Sequence, residues 1–209
     1  MNIAVAISNG VTISASMFCM AHLYRFHWRG AKPRTLIASS VIIAVTFLVT
    51  ALQFAYPEIV AAFRRNPEAL RAGQWWRLVT PLFVQPYGWG QVLFNGIFLL
   101  VFLPLAERLY GNWLWFLYFA PGILGQIVNY WWQPNGGGSS TGAFGVMGSL
   151  LIHVIRVRRD MPKLHTFLAI AGVCGALGMC AIKDGHGPPL LLGAALALAS
   201  RGASKGEHA

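Results

Sequence analysis

Gly136-Gly137-Gly138-Ser139-Ser140-Thr141-Gly142-Ala143-Phe144-Gly145-Val146-Met147-Gly148 changes character halfway along its length. Residues 136–138 are a glycine run that can take backbone angles closed to other residues. Residues 142–155 are a nearly unbroken apolar run, long enough with its flanks to form a membrane helix. At the junction stand three hydroxyls, Ser139, Ser140 and Thr141, where a polar loop enters hydrocarbon. Gly142, Gly145 and Gly148 recur every third residue and leave a helix face almost bare, so a neighbouring helix can approach closely. The plain reading of the hydroxyls is a helix N-cap. The functional reading is a hydroxyl within reach of a side chain from another helix.

The composition points to a membrane. The chain has 209 residues, of which 56% are hydrophobic and 11% charged, where a soluble domain carries roughly 25% charged residues. The formal net charge is +10, but the basic residues occupy short loops between apolar runs, which argues against nucleic acid as a partner. Cys19, Cys174 and Cys180 lie inside apolar runs, with no metal-ligand spacing and no disulfide framework.

Taken in order, residues 3–21 form a modest apolar run without a basic leader and read as a weak extra span. Residues 35–55, 92–106, 113–132, 140–155, 164–182 and 190–200 read as further spans, near the ~20 residues a bilayer needs or somewhat shorter. A long aromatic-rich connection occupies 56–91, with Trp75, Trp76, Tyr87 and Trp89 suited to the membrane interface. Placing the 25–34 basic loop inside puts eleven Lys and Arg inside and five outside, which supports that orientation.

This topology brings the hydroxyl cluster, His186 and Asn95 to one depth near the outer surface. A serine is a poor nucleophile until a base takes its proton, and histidine has the pKa for that task. His22, His27 and His165 lie toward the inner side, and His208 is in the tail. His153 is thirteen residues below Ser140, roughly 20 Å along a helix. Only His186 shares the hydroxyls' depth. Asp184 is close in sequence, but residues two apart on a helix do not face each other, so a dyad is the simpler arrangement. Backbone N–H groups at the helix start, with the amides of Asn95 and Gln91 one turn apart, could stabilise an oxyanion. Those two amides could equally serve interhelical packing. No nucleotide phosphate loop and no metal cluster is present in the sequence.

At this point the chain resembles a rhomboid intramembrane serine protease. The resemblance covers about Gln74 to Ser200 and rests on several segments together. Gln74-Trp75-Trp76-Arg77-Leu78-Val79-Thr80-Pro81-Leu82-Phe83 resembles the family's Trp-Arg segment. Leu93-Phe94-Asn95 resembles the segment whose Asn serves the oxyanion hole. Glu107-Arg108-Leu109-Tyr110-Gly111 resembles the Glu-Arg-x-x-Gly at that helix's inner end. Gly138-Ser139-Ser140, with Phe144-Gly145-Val146-Met147-Gly148 after it, aligns without gaps to the family's Gly-x-Ser-Gly and its helix, which picks Ser140 rather than Ser139. His186 and Gly193 resemble the His and Gly of the last helix. Three departures stand out: Thr141 replaces a Gly, Gln91 replaces a common second His, and Pro188-Pro189 follow His186 directly.

The resemblance implies an all-α membrane protein, a rhomboid-like six-helix transmembrane bundle with an extra N-terminal helix. Residues 1–34 would hold that helix and a basic cytoplasmic loop, 35–201 the transmembrane domain and 202–209 a polar tail. It implies a serine endopeptidase using Ser140 and His186, with Asn95 and Gln91 at the oxyanion. Trp76, Arg77, Glu107, Arg108, Gly111, Gly138, Gly145, Gly148 and Gly193 would be framework positions. The expected partners are transmembrane protein substrates and the bilayer, with no cofactor and no metal. The expected location is a bacterial inner membrane, with the site facing outward. An inactive relative that binds membrane clients, and a small transporter or channel, are the alternatives.

Overall fold

The computed structural model describes residues 3–25 and 35–200. The expectations for His27, Arg29, Lys32, Arg34, Arg201, Lys205 and His208 fall outside them. The described residues are helical, with no β-strand among them. The long helices are α1 (Ile3–Leu23), α2 (Ile37–Ala55), α5 (Trp89–Tyr110), α6 (Leu114–Trp132), α7 (Ser140–Arg156), α8 (Lys163–Ala181) and α9 (Gly187–Ala199). Two short helices, α3 (Glu58–Phe63) and α4 (Pro67–Arg71), and two 3-10 turns fold the long aromatic-rich connection.

Three stretches are long and apolar enough to cross a membrane: Ile37–Ala55, Trp89–Trp132 and Lys163–Ala181. The second comprises α5 and α6, separated by a turn at Gly111, whose φ of 59° suits glycine. α7, with 17 residues, is not among them, and its environment suits its small and polar residues. It is buried without a break from Thr141 to Ile152, so protein rather than lipid surrounds it. Small and polar residues are tolerated there when neighbouring helices supply contacts.

The glycines of α7 do not form one seam. A Cβ at Gly142 would lie 2.6 Å from the Tyr118 ring, and one at Gly145 would lie 2.3 Å from Pro121, both on α6. A Cβ at Gly148 would meet the Leu190 carbonyl of α9 at 2.0 Å. Three-residue spacing falls short of a 3.6-residue turn, so the stripe drifts around the helix and serves two neighbours in succession. α9 answers with Gly193, where a Cβ would lie 1.8 Å from the Gly145 carbonyl oxygen.

The framework positions explain themselves locally. The Glu107 carboxyl on α5 accepts the backbone N–H groups of Ala38 and Ser39, each at 2.8 Å, at the first turn of α2. The Arg77 guanidinium donates to the carbonyls of Ala61 and Arg64 at the end of α3, each at 2.8 Å, while its Nε donates to Gln74. Trp76 is exposed, as an interfacial anchor would be.

Candidate active site

α7 and α9 begin side by side, and the site lies where they do. The Ser140 hydroxyl is in the first turn of α7, half-buried. His186 is the residue before α9. Its Nε2 lies 3.0 Å from Ser140 Oγ, although 46 residues separate the two in the chain. The imidazole rests on the Phe144 ring, with centroids 4.5 Å apart, one turn below Ser140. Pro188 and Pro189 occupy the first turn of α9, where a missing N–H costs nothing. They start the helix immediately after His186 without turning its ring away from Ser140.

The other predicted residues converge on the same place. Ser140, His186, Asn95, Gln91, Thr141 and Gly138 line one cavity of about 190 Å3, together with Arg65, Tyr87 and Gln126. Asn95 is buried and donates to Gln85 Oε1 at 2.7 Å. Gln91 donates to the Gly137 carbonyl at 2.8 Å and accepts the Tyr87 N–H at 3.0 Å. Both amides press against Gly138, where a Cβ would lie 2.4 Å from Gln91 Nε2 and 3.3 Å from Asn95 Nδ2. With a φ of 145°, Gly138 is doubly committed to glycine.

Thr141 departs from the family pattern without obstructing Ser140. Its side chain lies in the space left by Gly125 of α6, and its Oγ1 accepts from Gln126 Nε2 at 3.0 Å. Gln126 in turn accepts from Arg65. Arg65 is buried, and burial lowers its guanidinium pKa to about 10. Its backbone pairs with Gly136, and its Nη2 donates to the Gln133 carbonyl at 2.5 Å, so it ties the 56–91 connection to the loop before α7.

Asp184 requires a correction. The expectation that it faces away from His186 assumed a helix across both residues. α9 begins only at Gly187, and Lys183, with a φ of 56°, turns the chain just before Asp184. The Asp184 Oδ1 therefore meets His186 Nδ1 at 2.7 Å and accepts the His186 backbone N–H at 3.1 Å. Asp184 is almost fully buried. Burial alone would raise its carboxyl pKa, but the hydrogen bonds and charge of His186 and a bond from Asn9 outweigh that and hold it below the usual value. Two glycines permit the loop: a Cβ at Gly185 would collide with Asn129, and one at Gly187 with Cys180.

The sequence left Gln53, Asn9 and Gln85 without a role, Gln85 standing where the family's usual loop His is absent. Gln85 is buried and donates to Ser139 Oγ at 3.2 Å while accepting from Asn95. Gln53 of α2 holds the Gln85 backbone at both its N–H and its carbonyl. An amide near the end of an otherwise apolar span was the available signal for Gln53. Ser139 is fully buried and engaged by Gln85, which separates its role from that of Ser140. Among the described residues no group of His, Cys, Asp and Glu could hold a metal.

Residues 72–199 match the family model described as Rhomboid domain. Over 116 residues the chain is 36% identical to "Putative rhomboid protease YdcA" of Bacillus subtilis (strain 168), covering 54% of this chain and 58% of that protein. Over 105 residues it is 35% identical to "Rhomboid protease GluP" of the same organism, covering 49% of this chain and 20% of that protein.

Proposed function

We propose that this chain, which belongs to the rhomboid family, is an intramembrane serine endopeptidase that cuts transmembrane proteins near the outer membrane surface. The observation that carries the proposal is the 3.0 Å contact between Ser140 Oγ and His186 Nε2 at the wall of a cavity into which Gln91, Asn95 and Gln126 also face. His186 takes the hydroxyl proton as Ser140 attacks the scissile carbonyl, then returns it to the leaving amine. Asn95, Gln91 and the backbone N–H groups opening α7 hold the oxyanion. Water then hydrolyses the acyl-enzyme through the same base.

The relatives' names as rhomboid proteases support this reading. So does an all-helical, apolar architecture that suits a multi-pass membrane protein. In this reading α2 and α5–α9 form the six-helix core, and α1 is an additional span. The excess of basic residues in alternate loops favours an outward-facing site in a bacterial inner membrane. The substrate helix unwinds near small residues to present its backbone at the cavity. An inactive client-binding relative would have no reason to keep base and hydroxyl in register.

A fluorophosphonate probe on the detergent-solubilised protein tests the proposal. Ser140→Ala should abolish labelling and cleavage of a transmembrane reporter, whereas Ser139→Ala should retain most of both. Labelling that persists in Ser140→Ala would exclude Ser140 as the nucleophile.

A further inference from the structure

α1 lies wholly outside the residues matched by the family model, which begin at 72. It nevertheless reaches the site. Asn9, Thr12, Ser16 and Cys19 recur at helical spacing and make one small, polar stripe. That stripe packs on α8: Thr12 fills the space over Gly175, and the Cys19 thiol donates to the His165 carbonyl at 3.4 Å. At the upper end of the stripe, Asn9 Nδ2 donates to Asp184 Oδ2 at 2.5 Å. The Asn9 Oδ1 is buried without a hydrogen-bond partner, so the bond to Asp184 fixes this amide. A carboxylate only accepts, which also settles which end of the amide faces it.

Each Asp184 oxygen thus has its own task. Oδ2 is held by α1, and Oδ1 is left for the backbone and ring of His186. Because Oδ1 is an acceptor, the Nδ1 beside it carries the ring hydrogen, and Nε2 is left with a lone pair toward Ser140. When Nε2 takes the serine proton, the ring becomes an imidazolium and its charge is met by a buried carboxylate already in place.

We propose that Asp184 positions His186 as the base for Ser140, and that Asn9 of α1 in turn fixes Asp184, making the N-terminal helix part of the proteolytic apparatus. The inference rests on the protease reading above. It extends that reading from a pair of residues to a chain of four residues, running from α1 through the loop before α9 to α7.

The experiment measures reporter cleavage and the rate of fluorophosphonate inactivation on the full chain, with thermal melting as a folding control. Asp184→Asn can donate to Nδ1 and hold the wrong tautomer, so kcat should fall about 10³- to 10⁴-fold with KM unchanged and inactivation slowed in step. Asn9→Ala should cost about tenfold in kcat, the scale of a lost outer-shell partner. Asn9→Asp should be slower still, because two carboxylates would then face each other; a purely structural contact would not produce that order at equal melting temperature. A kcat for Asp184→Asn within threefold of the parent would overturn the proposal. If Asp184→Asn does not fold, equal kcat for the parent, Asn9→Ala and Asn9→Asp would overturn it instead. A parent chain that neither cleaves nor labels, or a Ser140→Ala variant that does both, would sink the protease reading itself.

Discussion

Glu107 grips Ser39 twice through a single oxygen, accepting its backbone N–H at 2.8 Å and its hydroxyl at 2.5 Å. With its other oxygen on Ala38, the carboxyl closes the otherwise unpaired N–H groups of these buried residues in the first turn of α2 from the far end of α5. Buried donors left open are costly, and hydrogen bonds to a charged acceptor contribute about 1.5–3 kcal/mol. Glu107→Ala should therefore lower stability by about that amount in detergent melting. Fluorophosphonate labelling per folded molecule should stay near the parent level, because this end of α5 is remote from the cavity. A loss of labelling with unchanged melting would contradict the assignment.

Asn95 donates to Gln85 and faces the cavity beside Ser140. Losing one of several oxyanion donors typically costs ~10² to 10³ in turnover. Asn95→Ala should leave a small measurable rate in a folded protein. Gln91→Ala should cost less, since Gln91 is a turn nearer the loop and water can replace its bond. If Asn95→Ala unfolds the protein while the rate per folded molecule is unchanged, Asn95 is a packing residue and the oxyanion is held by backbone groups.

Gly193 and Gly178 make a matched pair of tests. A Cβ on Gly193 would fall 1.8 Å from a backbone oxygen of α7, whereas one on Gly178 has nothing within 4 Å. Gly193→Ala should force α9 away from α7, destabilise by about 1–3 kcal/mol and carry His186 off Ser140. Gly178→Ala should leave activity intact and gain up to about 1 kcal/mol of helix propensity. Cleavage and melting of both variants measure the difference; full activity in Gly193→Ala would refute the close α7–α9 contact.

Membrane orientation can be read with cysteines on a cysteine-free background. Asn135, Lys183 and Asp160 are exposed and suit an impermeant thiol reagent. Cysteines at 135 and 183 should label from outside, and a cysteine at 160 only from inside. Labelling of 135 and 183 from opposite faces would be incompatible with the meeting of Ser140 and His186.

The helices were readable because long apolar runs separated by charged loops leave little freedom, and each expected span coincides with a helix to within a few residues. The Ser140–His186 pairing was readable because only one histidine shared the hydroxyls' depth. Asp184 was not readable by the same logic. Its contact with His186 depends on where α9 starts, and a positive φ at Lys183 turns the chain just before it. Gln85 and Asn9 were illegible for another reason: each meets its partner only through tertiary packing, and the helical spacing of Asn9 with Thr12, Ser16 and Cys19 gives a face but not what lies against it. The third-residue glycines showed that close approach occurs on α7, but not that it divides between α6 and α9.

The separation of Ser140 from His186 by 46 residues also has a meaning in time. A ribosome delivers Ser140 well before His186, on a helix of 17 residues. Of the long helices packed most closely on α7, α5 and α6 precede it in the chain and α8 and α9 follow. A nascent chain halted before residue 186 carries Ser140 without the imidazole that the protease reading assigns it as base. In the protease reading, the order of synthesis delays the completed site until the chain has passed residue 186.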